Sequence, residues 1–387
     1  MKHFYLILGL FSALLITSCN KESTIDLPTP TPNGNIIVRM NITENTTWVK
    51  DSIYQLSGRI AVTNGVTLTI EPGTIIKGEP GTGANASSLV IAQGAKLIAE
   101  GTEDAPIIFT STADSISIED IEVGVFSSPN LNPTISGLWG GVIILGNAPI
   151  SASNDVGDVS QVQIEGIPTS DPNGLYGGDN SNDDSGILRY VSIRHGGANI
   201  GSGNEINGLT LGGVGSGTVI DNIEIVANQD DGIEFFGGTV NVDNVVVWNV
   251  GDDAIDTDQA WSGTLNNFVI ITPTGHCFEL DGPEGTLIVG HAIKNGEVRA
   301  SGAEDLINMD DNSRVNLENI YFTDIDPSQK INRVTFGTGE VTFTNIFLDV
   351  DVLDLANHIN GTPPPGIQIG TISQANKSGL GWTWAPI

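Results

Sequence analysis

Three acidic phrases recur in the middle of the chain: Asp230-Asp-Gly-Ile-Glu234, Asp252-Asp-Ala-Ile-Asp256 and Gly275-His-Cys-Phe-Glu279. Each follows a run of β-branched or aromatic residues opened by an asparagine, at Asn222, Asn244 and Asn267, so the leading asparagines stand 22 and 23 residues apart. Carboxylates recurring in this way have two chemical uses. Side by side they coordinate a hard cation, and some ångströms apart they divide the acid and base roles of a hydrolysis. If Ile233, Ile255, Phe278 and Ile307 point inward at equivalent places, strand alternation turns Glu234, Asp256, Glu279 and Asn308 outward, and Asp258, Asp281 and Asp310 follow two residues on. Neighbouring strands lie about 4.8 Å apart, so these side chains form ladders. Like charges about 4 Å apart repel by about 1 kcal/mol in water and about 4 kcal/mol at an effective dielectric of 20. Splayed hydrated side chains, protonation or a bound cation each relieve that repulsion. Calcium is the natural cation, since it takes about 6–8 oxygen ligands in flexible geometry. Glu234, Asp256, Asp258, Glu279 and Asp281 are its expected ligands.

The elements that must position these residues follow from the same period. A repeat in the low twenties, built on short β-branched runs with Gly and Asp between them, marks a stacked solenoid. The fold expected is all-β, a right-handed parallel β-helix, each repeat forming one coil. The pattern continues at Asn319-Ile-Tyr-Phe and Asn345-Ile-Phe-Leu. Upstream, Val66-Thr-Leu-Thr-Ile-Glu-Pro-Gly, Leu89-Val-Ile-Ala-Gln-Gly and Pro106-Ile-Ile-Phe-Thr-Ser111 read as the first strand pairs. Trp48 and Tyr54 are expected to cap the first regular coil and shield its open edge. Two polar segments, 112–135 and 152–185, interrupt the coils and are expected to bulge out and line a binding face. The second carries oxygen side chains at Asp179, Ser181, Asp183 and Ser185, an alternation suited to calcium, but without the glycine and glutamate of an EF-hand. Gly379-Leu-Gly-Trp-Thr-Trp-Ala-Pro386 is expected to fold back as a cover, with Trp382 and Trp384 plugging the final coil or stacking on a sugar.

The net charge of −31, with 15 Lys plus Arg among 387 residues, excludes nucleic acid as a partner, because such binding needs basic residues to displace counterions. No P-loop, Cys-x-x-Cys or His-Glu-x-x-His is present, and Gly212-Gly-Val-Gly-Ser-Gly217 lacks the spacing of a dinucleotide fingerprint. The five histidines are scattered, and His195 reads as a turn residue. At the start, Lys2 and the apolar run Phe4 to Ile16 have the form of an export signal. Its end, Ile16-Thr-Ser-Cys19, resembles the lipobox of bacterial lipoproteins. That resemblance implies cleavage after residue 18, lipid on Cys19 and an outer-membrane address, with the membrane as a partner. Residues 19–35, with Leu-Pro-Thr-Pro-Thr-Pro, read as a semi-rigid tether, and 36–387 as the β-helix. With Cys19 lipidated, Cys277 has no partner and reads as a small buried thiol.

Several runs carry a closer resemblance: Trp48 through Lys77, Gly137-Leu-Trp-Gly-Gly-Val-Ile-Ile-Leu-Gly146, Gly186-Ile-Leu-Arg-Tyr-Val-Ser-Ile-Arg-His195 and Asp230-Asp-Gly-Ile-Glu-Phe-Phe-Gly-Gly238. Together they resemble a family of exported β-helix lipoproteins of Bacteroidota, within the pectate-lyase-like superfamily. That resemblance implies the fold over nearly the whole mature chain and no particular activity. The order of the acidic phrases is also similar to the catalytic motifs of polygalacturonase-type glycoside hydrolases. On that resemblance Asp231, Asp252 and Asp253 are catalytic carboxylates, His276 the motif histidine and Arg299 a basic subsite residue, although Cys277 and Ala300 depart from the pattern. Three functions are therefore in play. One is a membrane-tethered module that binds a polysaccharide or surface protein on its acidic flank, with calcium. The others are a polysaccharide hydrolase and a purely structural surface protein.

Overall fold

The computed structural model describes residues 34–200, 206–332 and 340–387. The expected signal, Cys19 and most of the tether lie outside these residues.

The β-branched runs stack as parallel strands in two principal sheets. A short sheet of eight strands runs from Arg59–Val62 through Ser88–Ile91, Val142–Leu145, Leu209–Gly212, Ile233–Phe236, Ile255–Asp258 and Phe278–Leu280 to Asn308–Met309. Its register aligns Ile60, Leu89, Val142, Leu209, Ile233, Ile255 and Phe278 in one column. Every member of that column is at most 1% exposed, so the expected inward row is the spine of the core. Each coil buries its apolar row against the next, which allows a chain of this length to fold around one continuous core.

The second sheet has 15 strands, and its longer members bend once. Gly186–Arg194, Val219–Val226, Val242–Trp248, Thr264–Ile271, His291–Arg299, Val315–Thr323 and Val341–Leu348 carry a left-handed residue in mid-strand, with φ between 48° and 63° at Tyr190, Asn222, Asn244, Asn267, Asn295, Asn319 and Asn345. Asparagine tolerates this conformation because its short amide can bond locally. Here the amides also bond along the stack: Asn267 Nδ2 donates to Asn244 Oδ1 (2.6 Å), Asn319 to Asn295 (3.0 Å) and Asn345 to Asn319 (3.0 Å). The leading asparagines of the repeat are thus the corners of successive coils.

At the amino-terminal end Trp48 and Tyr54 stack at 4.7 Å, each 3% exposed, within the continuous core, and Asn35–Val38 pairs outside Ile53–Leu56. The first insertion folds around a short helix, Ile118–Glu122, closed by a Ser117/Asp120 capping box. The second forms two small hairpins, Ala152–Asn154 with Gly157–Val159 and Val162–Gln163 with Leu175–Tyr176. It lies on the outer face of the short sheet, where Ile150, Ile164, Ile167 and Tyr176 pack on Val90, Ile143, Leu145 and Phe236. The carboxyl-terminal segment corrects the expectation of a plug. It returns along the outer face of the long sheet, with Leu380 and Ala385 packed on Val246, Val269 and Ile271. Trp382 meets Tyr190, and Trp384 meets Trp248 and His195 edge-on. The backbone amides of Trp384 and Ala385 donate to Glu224 Oε1 at 2.6 and 2.9 Å, so this tail is a strap across the coils, with Trp382 buried and Trp384 half-buried. Among the described residues no helix is long and apolar enough to cross a membrane.

Candidate metal centre on the short sheet

Along the outer face of the short sheet, one register column reads Ala61, Val90, Ile143, Thr210, Glu234, Asp256, Glu279 and Asn308. Its first three members are apolar and lie under the second insertion, and Glu234, Asp256 and Glu279 make the acidic part. The acidic ladder expected from alternation therefore exists in that register. It is not an open solvated face, however: Glu234 is 8% exposed and Asp256 is only partly exposed.

Three groups of ligand-bearing side chains converge, each with its donor atoms within 4.8 Å of one another: Asp230 with Asp231 and Asp252, Asp231 with Glu234 and Asp256, and Asp253 with His276 and Glu279. The coil turns set these positions. The backbone N–H of Asp253 donates to Asp231 Oδ1 (2.9 Å), and that of His276 donates to Asp253, so each turn aspartate ties down the next coil. His276 Nδ1 also lies 3.0 Å from Asp253 Oδ1 as an ion pair. Asn207, 2% exposed, donates from Nδ2 to Glu234. Its Oδ1 and Asp256 Oδ1 are buried without a hydrogen-bond partner.

Burial, then the charge of Glu234, pushes the Asp231 carboxyl well up. Glu234 is raised by burial and by Glu165 and Asp258, and Asp256 by burial and by Glu234 and Asp231. Burial and the contact with Asp253 bring Glu279 to about 8, while burial and Glu284 bring Asp258 to about 7. Burial alone would also raise Asp253, but hydrogen bonds from His276 and Glu279 hold it below the usual range. For His276 burial opposes the charge, yet Asp253, Glu279 and Glu304 outweigh it and bring the imidazole to about 9. Asp231, Glu234 and Asp256 thus face one another with an asparagine amide beside them and no lysine or arginine among the groups that shift them. Carboxylates so placed hold protons or a cation.

The calcium ligands expected from sequence divide accordingly. Glu234 and Asp256 meet in one group, joined by Asp231, whereas Glu279 belongs with Asp253 and His276. Asp258 accepts from the backbone of Gln259 at 2.6 Å and, with Asp281, falls outside the three convergent groups. In the second insertion Asp183 turns inward to Asn147 (3.0 Å) and Ser185 (3.3 Å) and Asp179 stays exposed, so that alternation builds a turn and no common centre. Of the hydrolase residues, Asp231, Asp252, Asp253 and His276 lie along one edge, but Arg299 does not join them. Its guanidinium pairs with Glu297 (2.9 Å) and reaches the Pro386 carbonyl under the strap. Asp231 and Asp252 also bring carboxylate oxygens within 4.8 Å of each other. His195 is a fully buried turn residue, with φ 59° and its ring on the Ile135 carbonyl, and Cys277 is fully buried, with burial pushing its thiol up. Asn207 and Glu165 are the neighbours that sequence reading missed: Asn207 stands two residues before Leu209 as Asp231 stands before Ile233, but its amide carries no charge to mark it, and Glu165 lies in the second insertion.

Residues 40–362 match the sequence model of the pectate-lyase like beta helix domain. The chain belongs to that family, consistent with its right-handed parallel coils. No curated protein and no solved structure matches it.

Proposed function

We propose that this chain is an exported, lipid-anchored β-helix module that holds a divalent cation, calcium by its chemistry, on the short sheet and serves to bind a polysaccharide or surface protein there. The observation that carries the reading is the convergence of Asp231, Glu234 and Asp256 within 4.8 Å at a largely buried place. Carboxylate and amide oxygens in an irregular cage suit calcium better than magnesium, which demands near-octahedral geometry and keeps its waters. Zinc sites favour nitrogen and sulfur donors, and this group supplies neither. Lipidation at Cys19 would hold the coils off an outer membrane on the proline-rich tether. Titration calorimetry with calcium chloride tests the site: the wild type takes up calcium, and Asp256→Asn binds it at least about tenfold more weakly. An unchanged isotherm for Asp256→Asn, or none for the wild type, removes the cation site. Release of reducing ends or unsaturated products from a polysaccharide panel, abolished by Asp231→Asn or Asp253→Asn, would replace the binding role with a catalytic one.

A further inference from the structure

The first insertion packs on the outer face of the long sheet, with Ile116 and Ile121 on Ile75 and Ile108, and a groove runs between it and the strap. Three fastened pieces form the walls. The turn at 102–105 closes on itself through backbone bonds between Thr102 and Ala105 (3.2 and 3.1 Å) and leaves Glu103 and Asp104 exposed at its tip. The helix Ile118–Glu122 is locked by its capping box, and the loop after it by Arg194, which donates to the Phe126 carbonyl. The strap, tied to Glu224, brings in Trp382. Two adjoining recesses result, of about 360 and about 250 Å³, and Asp104, Ile121 and Glu122 line both. The groove is therefore preformed, and large enough for a short segment of a ligand.

Its chemistry is specific. Glu103, Asp104 and Glu122 are exposed at the rim, and the one cation lining either recess, Lys50, is already paired with Asp51 (3.0 Å). The lining between them is apolar at Ile121 and Phe126. Trp382 is 1% exposed, and its indole N–H is buried with no acceptor. A donor left in that state costs stability unless an oxygen reaches it. A ligand that answers all three features carries positive charge, apolar groups and a hydrogen-bond acceptor. We propose that the groove binds an extended, basic segment of a partner protein. Its lysine or arginine side chains meet the three rim carboxylates, its apolar side chains enter against Ile121 and Phe126, and a backbone carbonyl accepts from Trp382 Nε1. A polyamine supplies the charge without the acceptor, and a neutral glycan supplies acceptors without the charge. This site lies on the other sheet from the acidic ladder and needs no cation there.

Titration calorimetry of the full chain tests this with a capped peptide of alternating leucine and lysine, the same peptide with glutamate for lysine, and spermine. The lysine peptide binds, and the glutamate peptide does not. Asp104→Lys and Glu122→Lys each weaken the lysine peptide at least about tenfold. Both positions are exposed, and a positive charge at Glu122 suits the end of its helix, so these variants keep the fold. Asp351→Lys, an equal change of charge at an exposed position beyond Val341–Leu348, leaves the affinity as it was. A loss in Asp351→Lys as large as that in Glu122→Lys would mean diffuse attraction to an acidic protein and would overturn the groove. Spermine binding as tightly as the lysine peptide would overturn the assignment to a peptide. No binding of the lysine peptide at millimolar concentration would overturn the proposal, whatever the short sheet does with calcium.

Discussion

At the scale of single residues, this protein concentrates ionisable groups whose charge its own burial opposes. Asp258 and Glu279 are raised to about 7 and about 8, against about 4 for the same side chains in an unfolded chain. Between those limits the folded state binds more protons than the unfolded one. Stability from these two groups is therefore fully present near pH 4 and is lost as pH rises through 7 and 8. In chelator, the urea midpoint should fall between pH 5.5 and pH 8.5, and Asp258→Asn should flatten that fall. A midpoint rising steadily over the same range would show that these carboxylates are not raised. His291 acts at the acid end with the opposite sign. Fully enclosed against Trp261, it is pushed down to about 3, so its contribution is present above pH 6.5 and lost as the unfolded chain takes up its proton below that.

At the scale of elements, alternation and period made the short sheet legible before any coordinates. Ile233, Ile255 and Phe278 recur at one phase of the repeat, and strand geometry leaves them one common direction. Ile255→Asp should cost at least about 3 kcal/mol by burying an unpaired charge between two coils, whereas Asp258→Asn should fold cooperatively. Equal denaturation midpoints for the two variants would contradict the register. The asparagine corners were visible as the start of each repeat but not as corners, because nothing in a period states where the backbone turns left-handed. Asn267 combines φ 60° with bonds to Asn244 and to the strap at Asn376. Asn267→Ala should therefore cost about 2 kcal/mol and Asn267→Gly less, since glycine keeps the backbone conformation and loses only the amide bonds. Chemical denaturation orders the two variants, and a more stable alanine would remove the conformational argument.

At the scale of the whole molecule, the fold is a stack of coils to which three non-repeating segments add specificity: two insertions and the terminal strap. Sequence identified all three as departures from the repeat. It could not say where they lie, because their contacts are made with coils up to 160 residues away, as between Trp384 and Glu224. The strap covers an ion pair, Arg194–Glu224, in which both side chains are 0% exposed. Glu224→Gln leaves that guanidinium buried without its counter-charge and withdraws a carboxylate from two strap amides, which should cost about 3–5 kcal/mol. It should also speed proteolysis after Lys377, and an unchanged cleavage rate would show that the strap is held elsewhere. The site was legible to the same extent as the coils: repetition revealed the acidic ladder, but the insertion beside it comes from outside the period, and Asn207, one coil before Asp231 in the same register, carries no charge to mark it. Diffraction from crystals grown in calcium, with anomalous differences collected at long wavelength, decides whether an ion sits on the short sheet. One peak is expected among Asp231, Glu234, Asp256 and the Asn207 side-chain oxygen, lost in Asp256→Asn. Carboxyl groups paired through shared protons, with no peak between them at millimolar calcium, would contradict it.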